Sequence, residues 1–320
     1  MTITLKPEWT RPGTILFASE VPANEKAFAF ALAQAHETGA ELVLFHAYDT
    51  LMASSTAASG IVYFDYEAAA SNEIKALQPL AERAREAGVP TQIIARPGLP
   101  ADRILEYAHE HKVDRIVMAT HSPGPIGKLL VGSVAEAVLR NAEAPVFIVG
   151  PETTDGTYRN FETRTVLCAI SSVETSGLTA QFAAEVAAQH NARLVLEHVI
   201  RPQDKYLILA HNTVEQIENA MLELVPGAHN KVEVQAIVVP GDPAEELLFQ
   251  SRAQHADLIV LGAHGASAFA AISRTGVVYK VLAHAHCPVM TLSPCLLGAG
   301  PCGAGAGKVT ASETYLAGVI

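Results

Sequence analysis

Short continuous apolar runs alternate along this chain with longer stretches in which apolar residues recur at helical spacing. The first run, Thr14–Ser19 (TILFAS), is apolar without a polar alternate, as expected of a strand buried on both faces of a parallel sheet. An amphipathic helix follows from about Ala23 to Thr38 and stops at Gly39, a residue that tolerates the left-handed conformation ending a helix. The same reading predicts strand Glu41–Ala47, helix Glu67–Ala87, strand Thr91–Ala95 and helix Ala101–His111. Strand Arg115–Ala119, a long loop, helix Ser133–Asn141 and strand Val146–Val149 complete the unit. Five strands alternating with four helices through short joints imply right-handed crossovers and an open, doubly wound parallel sheet. Ligands bind such sheets beyond the carboxyl ends of the strands, where the strand order switches. The loops after the first and fourth strands are therefore the places to look for chemistry.

The pattern then repeats. VPTQIIARPGLPADRILEYAHEHKVDRIVMATHS from Val89 aligns with VEVQAIVVPGDPAEELLFQSRAQHADLIVLGAHG from Val232. Pro100 pairs with Pro243, His121 with His264 and Pro145 with Pro288, each at an offset of 143 (243−100, 264−121, 288−145). Upstream, GAELVLFHAYD from Gly39 matches NARLVLEHVIR from Asn191, where His46 and His198 differ by 152. The first copy thus carries about nine extra residues (152−143) after its second strand. Asn191 stands where Gly39 does, and Asn also tolerates the left-handed turn. The second copy is predicted to run from Thr165 to Leu292. Residues 12–150 and 163–293 are read as two α/β domains, joined by a polar linker over about 151–163. Each is expected to hold its own five-stranded parallel sheet rather than share one continuous sheet. Residues 294–320 are read as a flexible Gly/Ala-rich tail, and the Met1–Pro12 and Gly298–Ile320 ends are expected to be dispensable for folding.

Composition narrows the function. The 320 residues are 49% hydrophobic and 17% charged, ample for buried cores, and the net charge of −11 argues against a nucleic-acid partner, whose phosphates need a basic face. No apolar run reaches membrane-spanning length, and MTITLKPEWTRPG lacks the apolar stretch of a signal peptide, so the cytoplasm is the expected compartment. None of Cys168, Cys287, Cys295 and Cys302 forms a CxxC pair, so no zinc site or redox motif is expected.

The informative segment follows the fourth strand. In the first copy it runs through Ala119-Thr120-His121-Ser122 to Gly132-Ser133; in the second, through Gly262-Ala263-His264-Gly265 to Thr275-Gly276. These stretches resemble the universal stress protein signature, Gly-x-x-Gly, nine residues, then Gly-Ser/Thr, followed by a helix and a strand opening in Pro-Val. The resemblance covers both copies and implies a tandem universal stress protein with an adenine nucleotide alpha hydrolase-like fold. It further implies strand order 3-2-1-4-5 in each half, and an intramolecular pseudo-dimer through Val146–Val149 and Val289–Leu292, with a homodimer also allowed. In ATP-binding members the signature cradles the phosphates, and an Asp after the first strand holds the nucleoside. Carried onto this chain, the implied contacts are Glu20, Ala47, Met118, Thr120, His121, Ser122, Gly132, Ser133 and Val134 in copy one. In copy two they are Ser171, Gly262, His264, Gly265, Thr275 and Gly276. The physics agrees, because glycines let backbone N–H groups approach phosphate and a Gly-Ser helix start adds a hydroxyl and the positive helix end.

Neither copy keeps the whole signature. Ala119 and Ser122 replace two glycines in copy one, where Pro123 and Pro125 remove two N–H donors; copy two reads Thr-Gly for Gly-Ser. Glu20 and Ser171 stand where the Asp belongs. If ATP binds, with its Mg, it is expected in copy one, whose helix-start anchor is intact. The function expected is that of a non-enzymatic stress-response protein binding ATP or another small ligand; the alternative is a slow ATPase or nucleotide hydrolase.

Other leads point to structure. His121 and His264 lack an acid partner or nucleophile nearby in sequence, and His46 and His198 read as one structural position repeated. His284, His286 and Cys287 straddle a helix-to-strand joint and would need a distant fourth group to hold zinc, so no metal site is predicted. Asp102, Glu245 and Glu246 suit helix starts. GAGPCGAGAGK fails as a P-loop because Val309 stands where Ser/Thr is required, and no Gly-x-Ser-x-Gly elbow ends a strand.

Overall fold

A computed structural model describes residues 7–48, 66–120, 131–154, 163–203, 213–262 and 276–297. The first copy contains α1 (Pro7–Thr10), β1 (Thr14–Ala18), α2 (Glu25–Thr38), β2 (Glu41–Tyr48) and α3 (Tyr66–Glu86). It continues with β3 (Thr91–Pro97), α4 (Pro100–Glu110), β4 (Arg115–Ala119), α5 (Ser133–Asn141) and β5 (Val146–Val149). The second copy repeats the course with β6 (Thr165–Ala169), α6 (Gly177–His190), β7 (Arg193–Ile200), α7 (Val214–Leu222) and β8 (Val234–Pro240). Then come α8 (Pro243–Ala253), β9 (Leu258–Gly262), α9 (Val277–His284) and β10 (Val289–Leu292). The helix ends obey local chemistry: Asn24 caps α2 by accepting from the Ala27 N–H, and Gly39 and Asn191 close α2 and α6 at φ 70° and 51°.

Each half orders its strands 3-2-1-4-5, all parallel, as the resemblance implied. The two sets do not remain separate sheets, however. β5 and β10 pair antiparallel, with Phe147 opposite Met290, so that one ten-stranded sheet runs β3-β2-β1-β4-β5-β10-β9-β6-β7-β8. The reason is an edge effect: each short last strand would otherwise present unpaired N–H and C=O groups, and pairing the two edges satisfies both. Two apolar layers cover the sheet, one under α2, α3, α6 and α7, the other under α4, α5, α8 and α9, and each layer draws residues from both copies.

The ends of the described chain correct the sequence reading. Trp9 is 5% exposed, and the buried Arg115 guanidinium donates to Trp9 O (3.1 Å), Thr10 O (2.6 Å) and Gln34 Oε1 (2.9 Å). Leu258 holds the matching place in copy two. The segment before β1 is thus the hydrogen-bonding complement of a buried cation. Likewise the first residues of the expected tail, 294–297, are held to the second domain's last residue: Ser293 Oγ donates to Ala142 O (2.6 Å) and accepts from Leu296 N, and Cys295 and Leu296 are buried. Residues 298–320, and 155–162 of the expected linker, lie outside the described residues.

Candidate functional site

The carboxyl ends of β1, β2 and β4, facing the starts of α4 and α5, enclose a cavity of about 440 Å³ in the first copy. It lies where strand order reverses between β1 and β4, the position expected for a ligand. Of the residues named from sequence, Glu20, Ala47, Met118, Thr120 and Val134 line it, with Phe17, Phe45 and Ile104 among the apolar walls. Glu20 is exposed at the rim. The Thr120 hydroxyl is buried without a hydrogen-bond partner, leaving a polar group in reserve on the wall. Gly132 and Ser133 are adjacent to the lining residue Val134. Gly132 caps α5 with extended geometry (φ −65°, ψ 156°), no side chain caps the helix, and Ser133 is exposed at its first position. The first-turn N–H groups are therefore not taken by a capping side chain. Val131, just before, donates its N–H to the Tyr279 hydroxyl (3.1 Å), so the second copy helps seat this helix start.

The corresponding strand ends and helix start of the second copy are built differently. Gly276 caps α9 in the same extended geometry (φ −77°, ψ 160°), but Val277 follows it, so no hydroxyl stands at the first helical position. Ser171 is held in a local network: its N–H and hydroxyl both contact Ser176 Oγ, at 3.2 and 3.3 Å. Gly262 ends β9. His121, Ser122, His264, Gly265 and Thr275 lie outside the described residues, as do Pro123 and Pro125.

The paired histidines do repeat one contact. Nδ1–H of His46 donates to Ser19 O and that of His198 to Ile170 O, each at 2.8 Å, latching the end of the second strand of each copy to the first. His284, His286 and Cys287 diverge: His284 meets Glu152 (2.9 Å), His286 approaches Ser251 Oγ (3.5 Å), and Cys287 is fully buried, its thiol pKa pushed up by desolvation. Among the described residues no group of three or more His, Cys, Asp or Glu could hold a metal ion, and no helix is long and apolar enough to cross a membrane.

One buried acid escaped the sequence reading. Glu197 in β7, aligned with Phe45, is 1% exposed, and neither of its carboxyl oxygens has a hydrogen-bond partner. Desolvation, then the charge of Glu246, pushes its pKa up to about 8. The signal was present in the alignment of LVLFH with LVLEH, where an acid replaces an aromatic ring in a strand otherwise unchanged in character.

The family model for universal stress proteins matches residues 13–150 and again 162–293. The chain belongs to the universal stress protein family. A Thermus aquaticus universal stress protein is 35% identical over 138 residues, covering 42% of this chain and 97% of that protein. A relative from Methanocaldococcus jannaschii is 40% identical over 75 residues, a match spanning 23% of this chain and 44% of that protein. Among solved structures, a universal stress protein from Archaeoglobus fulgidus superposes with TM-score 0.66 at 21% identity, covering 89% of this chain and 97% of that one. A putative universal stress protein from Pseudomonas aeruginosa gives 0.60 at 17% identity, covering 91% and 96%. The two structural likenesses extend across both domains and speak to the fold.

Proposed function

We propose that the first domain binds an adenine nucleotide, ATP with its Mg, and that the chain serves the stress response in the cytoplasm as a ligand-binding protein rather than as an enzyme. The carrying observation is the cavity of about 440 Å³ beside the α5 start, whose first turn is left uncapped and opens with Ser133. That volume falls within the range of small-molecule sites, roughly 300–1,000 Å³. Phe17, Phe45, Ile104 and Met118 offer an apolar wall for a base, Glu20 at the rim suits ribose hydroxyls, and Thr120 has an unused hydroxyl. The α5 N–H groups, the Ser133 hydroxyl and the positive helix end favour phosphate. Among the described residues that line the cavity, the Ser19 hydroxyl donates to a backbone carbonyl and the His46 ring meets a backbone carbonyl rather than a hydroxyl.

Calorimetric titration of the full chain with Mg·ATP tests the reading. Ser133→Ala removes one charge-assisted hydrogen bond, about 1.5–3 kcal/mol, and is expected to weaken binding by roughly tenfold or more. Gly132→Val should do likewise by placing a β-branched side chain at the cap. Unchanged affinity in both variants, or absence of binding in the parent chain, would contradict it. Single-turnover hydrolysis separates the enzymatic alternative: ATP cleaved by the parent chain, but not by Ser133→Ala, would make the protein an ATPase.

A further inference from the structure

The duplication allows each residue of one cleft to be compared with its counterpart in the other. β2 and β7 share one burial pattern. Phe45 stands in register with Ala18 of β1 and Ile94 of β3, and lines the first cavity. Glu197 stands at the same register, opposite Ala169 of β6 and Ile237 of β8, so its side chain takes the face of the sheet that α8 and α9 cover, the position from which Phe45 lines the first cavity. Those flanking strands contribute no charge beside it; the charged group acting on it is Glu246 of α8.

A second position reverses its sign. Arg103 and Glu246 each lie three residues beyond the proline opening their helix, and each reaches back over the glycine that follows the preceding strand. A Cβ on Gly98 would meet Arg103 Nε at 3.0 Å, and one on Gly241 would meet Glu246 Cγ at 2.5 Å. In the first copy that position holds a guanidinium paired with Glu106 (2.6 Å); in the second it holds a carboxylate, and Phe249 stands where Glu106 does. Val277 follows the cap of α9 where Ser133 follows that of α5, so the first helical position there carries no hydroxyl.

We propose that the cleft of the second domain binds a small organic cation, a protonated amine or amidinium, with Glu197 as the recognising carboxylate and Glu246 as the second negative charge. A buried acid whose two oxygens lack partners is satisfied by a ligand that brings N–H donors, and an amidinium presents two of them in the fork that matches a carboxylate. A positive charge offsets the repulsion between ionised Glu197 and Glu246, whereas a phosphate would add to it. The ligand's charge replaces the proton on Glu197, and that proton passes to solvent. This site is independent of nucleotide binding in the first domain.

The test is calorimetry on the full chain at pH 7 with agmatine, benzamidine and putrescine, each in two buffers of different ionisation heat. At least one is expected to bind with release of close to one proton per ligand. Glu197→Gln, isosteric with the neutral acid, is expected to keep the fold by circular dichroism, weaken binding at least tenfold and abolish proton release. Glu246→Gln should weaken binding several-fold. If Glu197→Gln does not fold, Glu197→Leu takes its place with the same expectation. The proposal is overturned if none of the three compounds binds, or if binding with proton release survives the loss of Glu197.

Discussion

Arg115 and Glu197 are both buried ionisable groups on sheet strands, yet the chain treats them oppositely. Arg115 meets three acceptors and lies over the Phe147 ring at 5.3 Å; burial lowers its pKa to about 10, so it stays charged at neutral pH. Arg115→Leu, the residue copy two uses, leaves those acceptors without their donor and is expected to cost about 2–4 kcal/mol in urea unfolding. Glu197 has no such partners and is accommodated as a neutral acid. Its folded pKa, about 8, lies above the unfolded carboxyl value of about 4.3. The stability it contributes is therefore complete below about pH 4 and lost as pH rises through 8. By pH 9 the parent chain should lose a few kcal/mol that Glu197→Gln retains, measured by urea unfolding of both at pH 5 and pH 9. Parallel pH profiles would show that Glu197 does not titrate in this window. The partners of Arg115 were not legible in sequence, and Glu197 showed only as an acid standing where the first copy has Phe45. A lone charge in an apolar strand reads as an outward-facing residue until the fold buries both faces of that strand.

At the scale of elements, apolar periodicity located every strand of the first copy to within two residues at either end, because sheet burial itself produces the signal. Periodicity is silent on α1, a four-residue helix whose anchoring comes from Arg115, about a hundred residues further along. Deleting residues 1–12 removes the Trp9 and Thr10 carbonyls from that guanidinium and takes the buried Trp9 ring out of the core. The thermal midpoint should fall by several degrees, measured by scanning fluorimetry. An unchanged midpoint would mean that Arg115 finds water as a sufficient substitute. The helix starts show the complementary lesson. Gly132-Ser133 was legible as a cap, and the structure has it uncapped by any side chain; the weaker start at Gly276 was legible from the missing serine.

Across the whole molecule, the duplication and its strand order were legible from repeated spacing and family resemblance, but the fusion into one sheet was not. Edge pairing depends on where two separate strands meet in space, which no local pattern encodes. The seam is tight: a Cβ on Gly150 would come within 2.8 Å of Leu282 O. Since both apolar layers also cross the seam, the parent chain is expected to unfold in one calorimetric transition, and Gly150→Val to lower or split it. Two independent transitions in the parent would contradict that coupling. The helix starts divide the molecule: among the described residues, a serine follows the cap of α5 beside the first cavity, whereas a valine follows the cap of α9. Hydrogen exchange of the full chain with and without Mg·ATP reads this directly. The account predicts ATP-dependent protection at residues 18–24, 45–48, 118–120 and 131–136, and none at 169–173, 197–200 and 276–280. Protection confined to the second set, or absent from both, would contradict it.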